Sequence, residues 1–229
     1  MAKKIRVIIP ALNEEKSIAK VIEEIPSSIV KEIIVCDNGS SDNTSDVAQK
    51  AGATVLVENE KGYGASCLKG IEYINKIKDK TDIVVFLDGD YSDYPGEMNI
   101  VINPILTGKA EMVIGSRALG QKEAGSLTPQ QVFGNWLATK MLHLFYGVRF
   151  TDLGPFRAIT LSALNKLNMV DRNYGWTVEM QIKAAKQKIK SVEVPVNYRN
   201  RIGFSKVSGT VKGTIMAGYK IIFTLFKYL

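Results

Sequence analysis

An α/β fold with a doubly wound, mostly parallel sheet is what this sequence predicts, on three observations. Five short apolar runs alternate with segments of helical apolar spacing through the first half of the chain. The polar and glycine-rich stretches fall directly after those runs, at the carboxyl ends of the expected strands, where open α/β sheets bind ligands. At 229 residues, 45% hydrophobic and 23% charged, the chain is long and apolar enough for one such domain with a sizeable core.

Residues 3–10 are an apolar strand closed by Pro10. Residues 13–25 follow as a helix, because Ile18, Val21, Ile22 and Ile25 recur at three- and four-residue spacing on one face. Residues 32–36 start the second unit, in which Asp42 or Asn43 caps a helix running toward Lys50 with Asp46 in its first turn. A strand at 53–57, a helix over about 65–77, a strand at 83–87, a helix after Pro95 and a strand at 111–115 complete the alternation. The second half is less regular. Residues 128–145 are helical in pattern with a broad apolar face, 181–190 form a short basic helix, and 191–198 form a strand whose Pro195 suits a sheet edge. Residues 199–206 are a basic loop and 214–229 an apolar terminal helix, so the expected division is a domain over 1–213 and an appended helix. No span reaches the roughly 20 uncharged residues of a membrane-crossing helix.

A net charge of +7 suits nucleic acid, anionic lipid or a phosphorylated small molecule, and equally a plain solvated lysine surface. Cys36 and Cys67 lie in apolar stretches without metal-ligand spacing, and the start MAKKIRVIIP lacks the apolar core of a signal peptide, so a cytoplasmic chain is expected. His143, the single histidine, stands among apolar residues and is expected to be packed.

The run from Ile83 to Leu87 ends in Asp88, Asp90 and Asp93. Neighbouring like charges repel, so a positive partner is expected there. Asp88 and Asp90 could hold a divalent cation through oxygen ligands, with phosphate and water completing the shell. The plainer alternative is a pair of turn residues capping the helix after Pro95.

Read together, IPALNEE (9–15), IIVCDNGSSDNT (33–44), KGYGASCLKG (61–70), FLDGDYSDYP (86–95) and VIGSR (113–117) resemble glycosyltransferase family 2, the inverting nucleotide-sugar transferases of the GT-A fold. Further on, TDLGPFRAI (151–159), GWTVEMQIKAA (175–185), VEVPVNY (192–198) and RIGFSK (201–206) look like the subgroup making polyprenyl-phosphate sugars, typified by dolichyl-phosphate mannose synthases. The resemblance extends to about Gly213.

It implies that Pro10, Ala11, Asn13 and Glu14 line a nucleoside pocket, that Asp37 accepts a hydrogen bond from the base, and that Gly39 and Ser40 allow close backbone approach. Lys61, Gly62 and Gly64 would lie beside that pocket; without a third glycine at the right spacing they are not a dinucleotide-binding fingerprint. Asp88 and Asp90, with Gly89 between them, would bind the donor diphosphate through Mg²⁺ or Mn²⁺. Arg117, Arg201 and Lys206, with Ser205, would face the donor diphosphate or the acceptor phosphate, a task suited to guanidinium forks and an ammonium. Asp152 would be a general base toward a hydroxyl acceptor, or in a phosphate-acceptor enzyme would organise Arg157 and the acceptor loop. Glu179 is a second candidate base, or a helix residue paired with Lys183.

The implied reaction moves a hexose from a UDP- or GDP-sugar to a polyprenyl (dolichyl or undecaprenyl) phosphate, with Asp90, Asp152 and Arg117 at its centre. Transfer to a hydroxyl is the alternative, and a catalytically silent sugar-nucleotide-binding protein a third possibility. The implied setting is peripheral, on the anionic cytoplasmic face of a membrane, with no nucleic-acid partner and self-association possible. The apolar faces of 128–145 and 214–229 suit an interface with lipid, or equally core packing or a dimer contact. Two departures stand out. Ser92 replaces the glutamine that mannose synthases place after the second aspartate, and SLTPQQVFGNWLATK lacks their acceptor-side arginines, leaving Lys122, Lys140 and Arg149 nearby.

Overall fold

The computed structural model describes residues 3–204 and 211–229. Its first half is the expected alternation: β1 (Ile5–Ala11), α1 (Ile18–Glu24), β2 (Val30–Asp37), α2 (Thr44–Lys50), β3 (Thr54–Val57), α3 (Tyr63–Lys76), β4 (Ile83–Phe86), α4 (Met98–Leu106) and β5 (Met112–Ser116). The second half contains α5 (Pro129–Tyr146), β6 (Arg157–Thr160), α6 (Leu161–Leu167), α7 (Trp176–Lys186), β7 (Ser191–Pro195) and α8 (Val211–Lys227). The seven strands make one sheet in the order β3-β2-β1-β4-β6-β5-β7, with β7 at the edge as Pro195 suggests.

Every residue of β1 is buried, as expected of a central parallel strand covered on both faces. Alternation divides its side chains. Val7 and Ile9 join a cluster with Ile18, Val21 and Met98, whereas Ile8 packs on the opposite face with Ile34, Phe86 and Trp176. Parallel register sets Ala11 beside Asp37, and Asp37 beside Val57, so the carboxyl ends of β1, β2 and β3 lie level and their loops share one rim.

β6 is not among the strands that the apolar runs predict. It runs antiparallel between β4 and β5, with Phe86 opposite Arg157. A four-residue strand that opens on an arginine shows little apolar alternation. Its reversed direction matters to the site, because it brings the turn before Arg157 to the rim where β4 and β5 end.

Other boundaries move for local reasons. α1 starts at Ile18 rather than 13 because Asn13 has φ +55 and Glu14–Ser17 form a turn closed by Ser17 N donating to Glu14 O. α7 starts at Trp176, five residues before the expected basic helix, because Trp176, Val178, Met180 and Ile182 are all buried there. α5 begins on a reciprocal cap: Thr128 Oγ1 accepts from Gln131 N, and Gln131 Oε1 accepts from Thr128 N. His143 is exposed rather than packed, since the buried face of α5 runs through Ala138, Thr139 and Leu142. Leu142, Val178, Ile182 and Leu225 knit α5, α7 and α8 into a third apolar cluster. Among the described residues no helix is long and apolar enough to cross a membrane.

Candidate active site

Two cavities open on the rim at the carboxyl ends of the strands. The first, about 280 Å³, is bounded by Pro10, Ala11, Leu12 and Glu14 after β1, Asn38 after β2, Lys61–Tyr63 before α3, and Asp88–Asp90 after β4. Asn173, Tyr174 and Arg201 close it from the second half of the chain. Its floor is held by polar cross-links between loops. Asn38 donates to the carbonyls of Glu58 and Glu60 and accepts from Gly62 N, while Lys61 Nζ donates to the carbonyls of Asn38 and Gly39. Gly62 and Gly64 have a packing reason. A Cβ on either would meet the carbonyl oxygen of Arg172 or Asp171 at 2.0 Å, so only glycines let the start of α3 lie against the 171–173 backbone.

Of the nucleoside-pocket residues implied by the sequence, Pro10, Ala11, Glu14, Lys61 and Gly62 line this cavity. Asn13, Asp37, Gly39, Ser40 and Gly64 are not part of its lining. Asp37 accepts from Ser40 N and Ser40 Oγ on one oxygen and from Ser45 Oγ on the other, so its carboxylate braces the β2 loop. Asn13 N donates to Ser40 Oγ and its side-chain oxygen accepts from Ser41 N, which ties the first loop to the second.

Asp88 and Asp90 face both cavities. Tyr63 Oη donates to Asp88 Oδ1 at 2.9 Å. Asp90 Oδ1 accepts from Ser92 N and Ser92 Oγ, and its Oδ2 is 3.1 Å from Arg201 Nη1. Arg201 Nη2 also reaches Glu14 Oε1 at 3.3 Å. Burial first, and then the charge of Asp90, push the Asp88 carboxyl up to about 7. Asp93 is raised well above the ordinary carboxyl range by burial and by both aspartates, and neither of its oxygens has a hydrogen-bond partner among the described residues.

Asp88 and Asp90 offer carboxylate oxygens of the kind that a hard cation with few protein ligands uses. Among the described residues no three His, Cys, Asp or Glu side chains converge into a cage, so a cation on Asp88 and Asp90 would take its remaining oxygens from water and phosphate. The fit is chemical: Asp88 and Asp93 stay raised by burial and by their neighbouring carboxylates although Arg117 and Arg201 act on Asp88 in the other direction, so the cluster lacks positive charge that a cation would supply.

The second cavity, about 330 Å³, shares Tyr63, Asp88, Asp90, Asn173, Tyr174 and Arg201 with the first. Its far wall is different. Gln130, Gln131 and Gly134 of α5 face Ala217, Gly218 and Ile221 of α8, with Arg117, Leu153 and Trp176 below. Asp152 does not line it. Arg117 donates to Asp152 through its main chain (2.8 Å), Nε (2.8 Å) and Nη2 (2.7 Å), and the carboxylate is only 2% exposed. The partner that Asp152 organises is therefore Arg117 and not Arg157, and both its oxygens are engaged, which leaves it poorly placed as a base.

Arg157 lies behind the wall, donating to the carbonyls of Leu153, Gly154 and Thr177, and burial draws it down to about 10. It braces the turn before β6 and reaches neither cavity lining. Glu179 is fully buried. It pairs with Lys183 Nζ at 2.7 Å and accepts from Val170 N, Asp171 N and Tyr228 Oη, so it is a helix-to-loop brace and not an acceptor-side group. Ser205 and Lys206 lie outside the described residues. Asn38, Tyr63, Asn173 and Tyr174 were not anticipated. The first two lie inside motifs dominated by charged and glycine residues, and the last two lie in an irregular stretch with no periodic signal.

The model of the family described as "Glycosyl transferase family 2" matches residues 6–167. An uncharacterised glycosyltransferase of Mycobacterium tuberculosis is 33% identical over 215 residues, 93% of this chain and 94% of the relative. The UDP-N-acetylglucosamine–dolichyl-phosphate N-acetylglucosaminyltransferase of Methanococcus voltae is 29% identical over 246 residues, 97% of this chain and 95% of the relative. Among solved structures, glucosyl-3-phosphoglycerate synthase of Mycobacterium tuberculosis, in complex with Mn²⁺, UDP-glucose and phosphoglyceric acid, matches with a TM-score of 0.78 at 24% identity. That match covers 99% of this chain and 79% of the synthase, and it is a likeness of fold.

Proposed function

The chain belongs to glycosyltransferase family 2, and we propose that it transfers a hexosyl group, with inversion, from a nucleoside diphosphate sugar to a polyprenyl phosphate at a membrane surface. The observation that carries this reading is the junction of two unlike cavities on Asp88, Asp90 and Arg201. The first, built from strand-end loops, suits the nucleotide and its diphosphate. The second is walled by two helices whose outer faces are apolar and exposed, including Phe133 at 61%, Trp136 at 53% and Tyr219 at 62%. A lipid phosphate entering between those helices would reach the carboxylate pair from the side opposite the nucleotide.

Mg²⁺ or Mn²⁺ held by Asp88 and Asp90 would supply Lewis-acid stabilisation of the departing nucleoside diphosphate. Arg201, within ion-pair distance of Asp90 and lining both cavities, would neutralise phosphate charge from either. A phosphate acceptor is ionised near neutral pH and needs no base, whereas a hydroxyl acceptor does. The oxygens of both expected bases, Asp152 and Glu179, are committed to internal partners, which favours the phosphate acceptor. The Methanococcus relative is named for a UDP sugar and dolichyl phosphate, so UDP sugars are the first donors to test.

The test is a radiolabel transfer assay with Mn²⁺, offering UDP-N-acetylglucosamine, UDP-glucose and GDP-mannose against polyprenyl phosphate in vesicles and against 3-phosphoglycerate in solution. The expected product partitions into organic solvent and releases its sugar in mild acid. Label confined to a water-soluble product, or a lipid product stable to mild acid, overturns the phosphate-lipid reading.

A further inference from the structure

The segment after β7 closes on the aspartate loop through one side chain. Arg199 Nε donates to Tyr91 O at 2.7 Å and Nη2 to Asp93 O at 3.0 Å. Its Nη1 and Nη2 also grip the two oxygens of Glu24, the last residue of α1, at 3.2 and 2.8 Å. The guanidinium lies 3.3 Å from the centroid of the Tyr91 ring and 4.3 Å from that of Tyr94. Main-chain bonds run in parallel: Arg199 N donates to Ser92 O, and Ile202 N to Asp90 O, each at 2.9 Å. The loop so gripped needs a restraint, because Tyr91 has φ +67, a left-handed conformation costly for a bulky side chain.

We infer that Arg199 is a positioning residue that fixes the loop presenting Asp90 and the segment presenting Arg201 as one unit, anchored on the end of α1. The inference rests on the reading of Asp88 and Asp90 as a cation site. Arg201 Nη1 occupies the Asp90 oxygen that a cation would take. With Ile202 N tied to Asp90 O, the Arg201 side chain could yield Asp90 to a cation while its backbone stays in place. The guanidinium would thus remain beside the carboxylates, with its Nε, which has no hydrogen-bond partner among the described residues, as a donor for an incoming phosphate oxygen. Lysine cannot reproduce the role: it has neither the planar fork for Glu24 and two carbonyls nor the flat face for two rings.

The experiment uses the whole purified chain, its Arg199→Lys variant and, as a gentler perturbation, Glu24→Gln. Amide hydrogen exchange reads the clamp without any ligand. Arg199→Lys is expected to lose protection in 90–94 and in 198–202 together, and Glu24→Gln to lose less in the same two segments. Mn²⁺ alone, titrated calorimetrically, is expected to bind Arg199→Lys about tenfold more weakly, the scale seen when a group behind a metal ligand is removed. A change confined to 198–202, or a lowered melting temperature with unchanged Mn²⁺ affinity, overturns the inference. If the unsubstituted chain binds no Mn²⁺, the cation reading falls, and the exchange comparison still decides whether the two segments move as one.

Discussion

Burial and then the neighbouring charge of Asp90 push the Asp88 carboxyl up to about 7, against the opposing pull of the Tyr63 hydroxyl hydrogen bond and of Arg201 and Arg117. The direction of the linkage follows. A carboxyl raised above its unfolded value stabilises the native state fully only below the unfolded pKa, and that contribution is lost as pH climbs through the native one. A cation must displace the same proton. Mn²⁺ should therefore raise the melting temperature more at pH 8 than at pH 5.5, and calorimetry in buffers of different ionisation enthalpy should show proton release near pH 7. Equal stabilisation at both pH values would remove Asp88 from the cation site. Asp152 leads to a second expectation at this scale. Since its carboxylate is locked on Arg117, Asp152→Asn should lower turnover through a loosened guanidinium, by less than the roughly 10²–10⁴-fold of a lost general base. If the acceptor is the proposed lipid phosphate, the acidic limb of the rate profile should persist in the variant, set by ionisation of that phosphate. Its disappearance, with a hydroxyl-linked product, would restore Asp152 as a base.

At the scale of elements, the strands were legible because each of β1, β2, β4 and β5 carries a run of apolar residues, two of them, β2 and β5, ending on a polar residue of the rim, Asp37 and Ser116. The site was legible as motifs, not as contacts. Asp88, Asp90, Arg117 and Arg201 do converge, yet nothing in a linear pattern says that Asp152 turns its carboxylate toward Arg117, because that depends on β6 reversing direction between β4 and β5. Glu179 misled for a related reason: an acidic residue in a helix marks a site only if the neighbouring loop does not consume it, and here Val170 and Asp171 do. The pairing of α5 with α8 gives a prediction at this scale. Gly134 and Gly218 line the second cavity from opposite helices, and a Cβ on either would meet nothing within 4 Å. Gly134→Ala should leave transfer intact and stabilise α5 by roughly 0.5–1 kcal/mol, the usual helix gain over glycine. Gly134→Trp should instead fill the space and suppress transfer to a lipid acceptor, with Mn²⁺-dependent UDP binding unchanged. Unimpaired lipid transfer by the tryptophan variant would place the acceptor path elsewhere.

For the whole molecule, charge and apolar surface make separable claims on a membrane. The chain carries +7, and α5 and α8 expose Phe133, Trp136, Tyr219 and Phe226 although Leu142 and Leu225 on the same two helices are fully buried. Core packing thus accounts for one side of each helix and leaves the other in search of a nonaqueous partner. Salt distinguishes the two forces, because the screening length shrinks from about 10 Å at 0.1 M to about 3 Å at 1 M, while burial of rings in the lipid interface is barely weakened. Sedimentation with anionic vesicles should therefore fall as salt rises and then level off at the value found with neutral vesicles. Replacing Trp136 and Tyr219 by serine should lower that plateau, yet leave transfer to a short-chain, water-soluble polyprenyl phosphate unchanged, since neither residue lines the cavities. Binding that vanishes at high salt would mean the apolar faces do not enter the bilayer. A plateau unaffected by the double substitution would mean the same, and the exposed rings would then be better explained by a second copy of the chain, which light scattering of the two proteins at matched concentration would reveal.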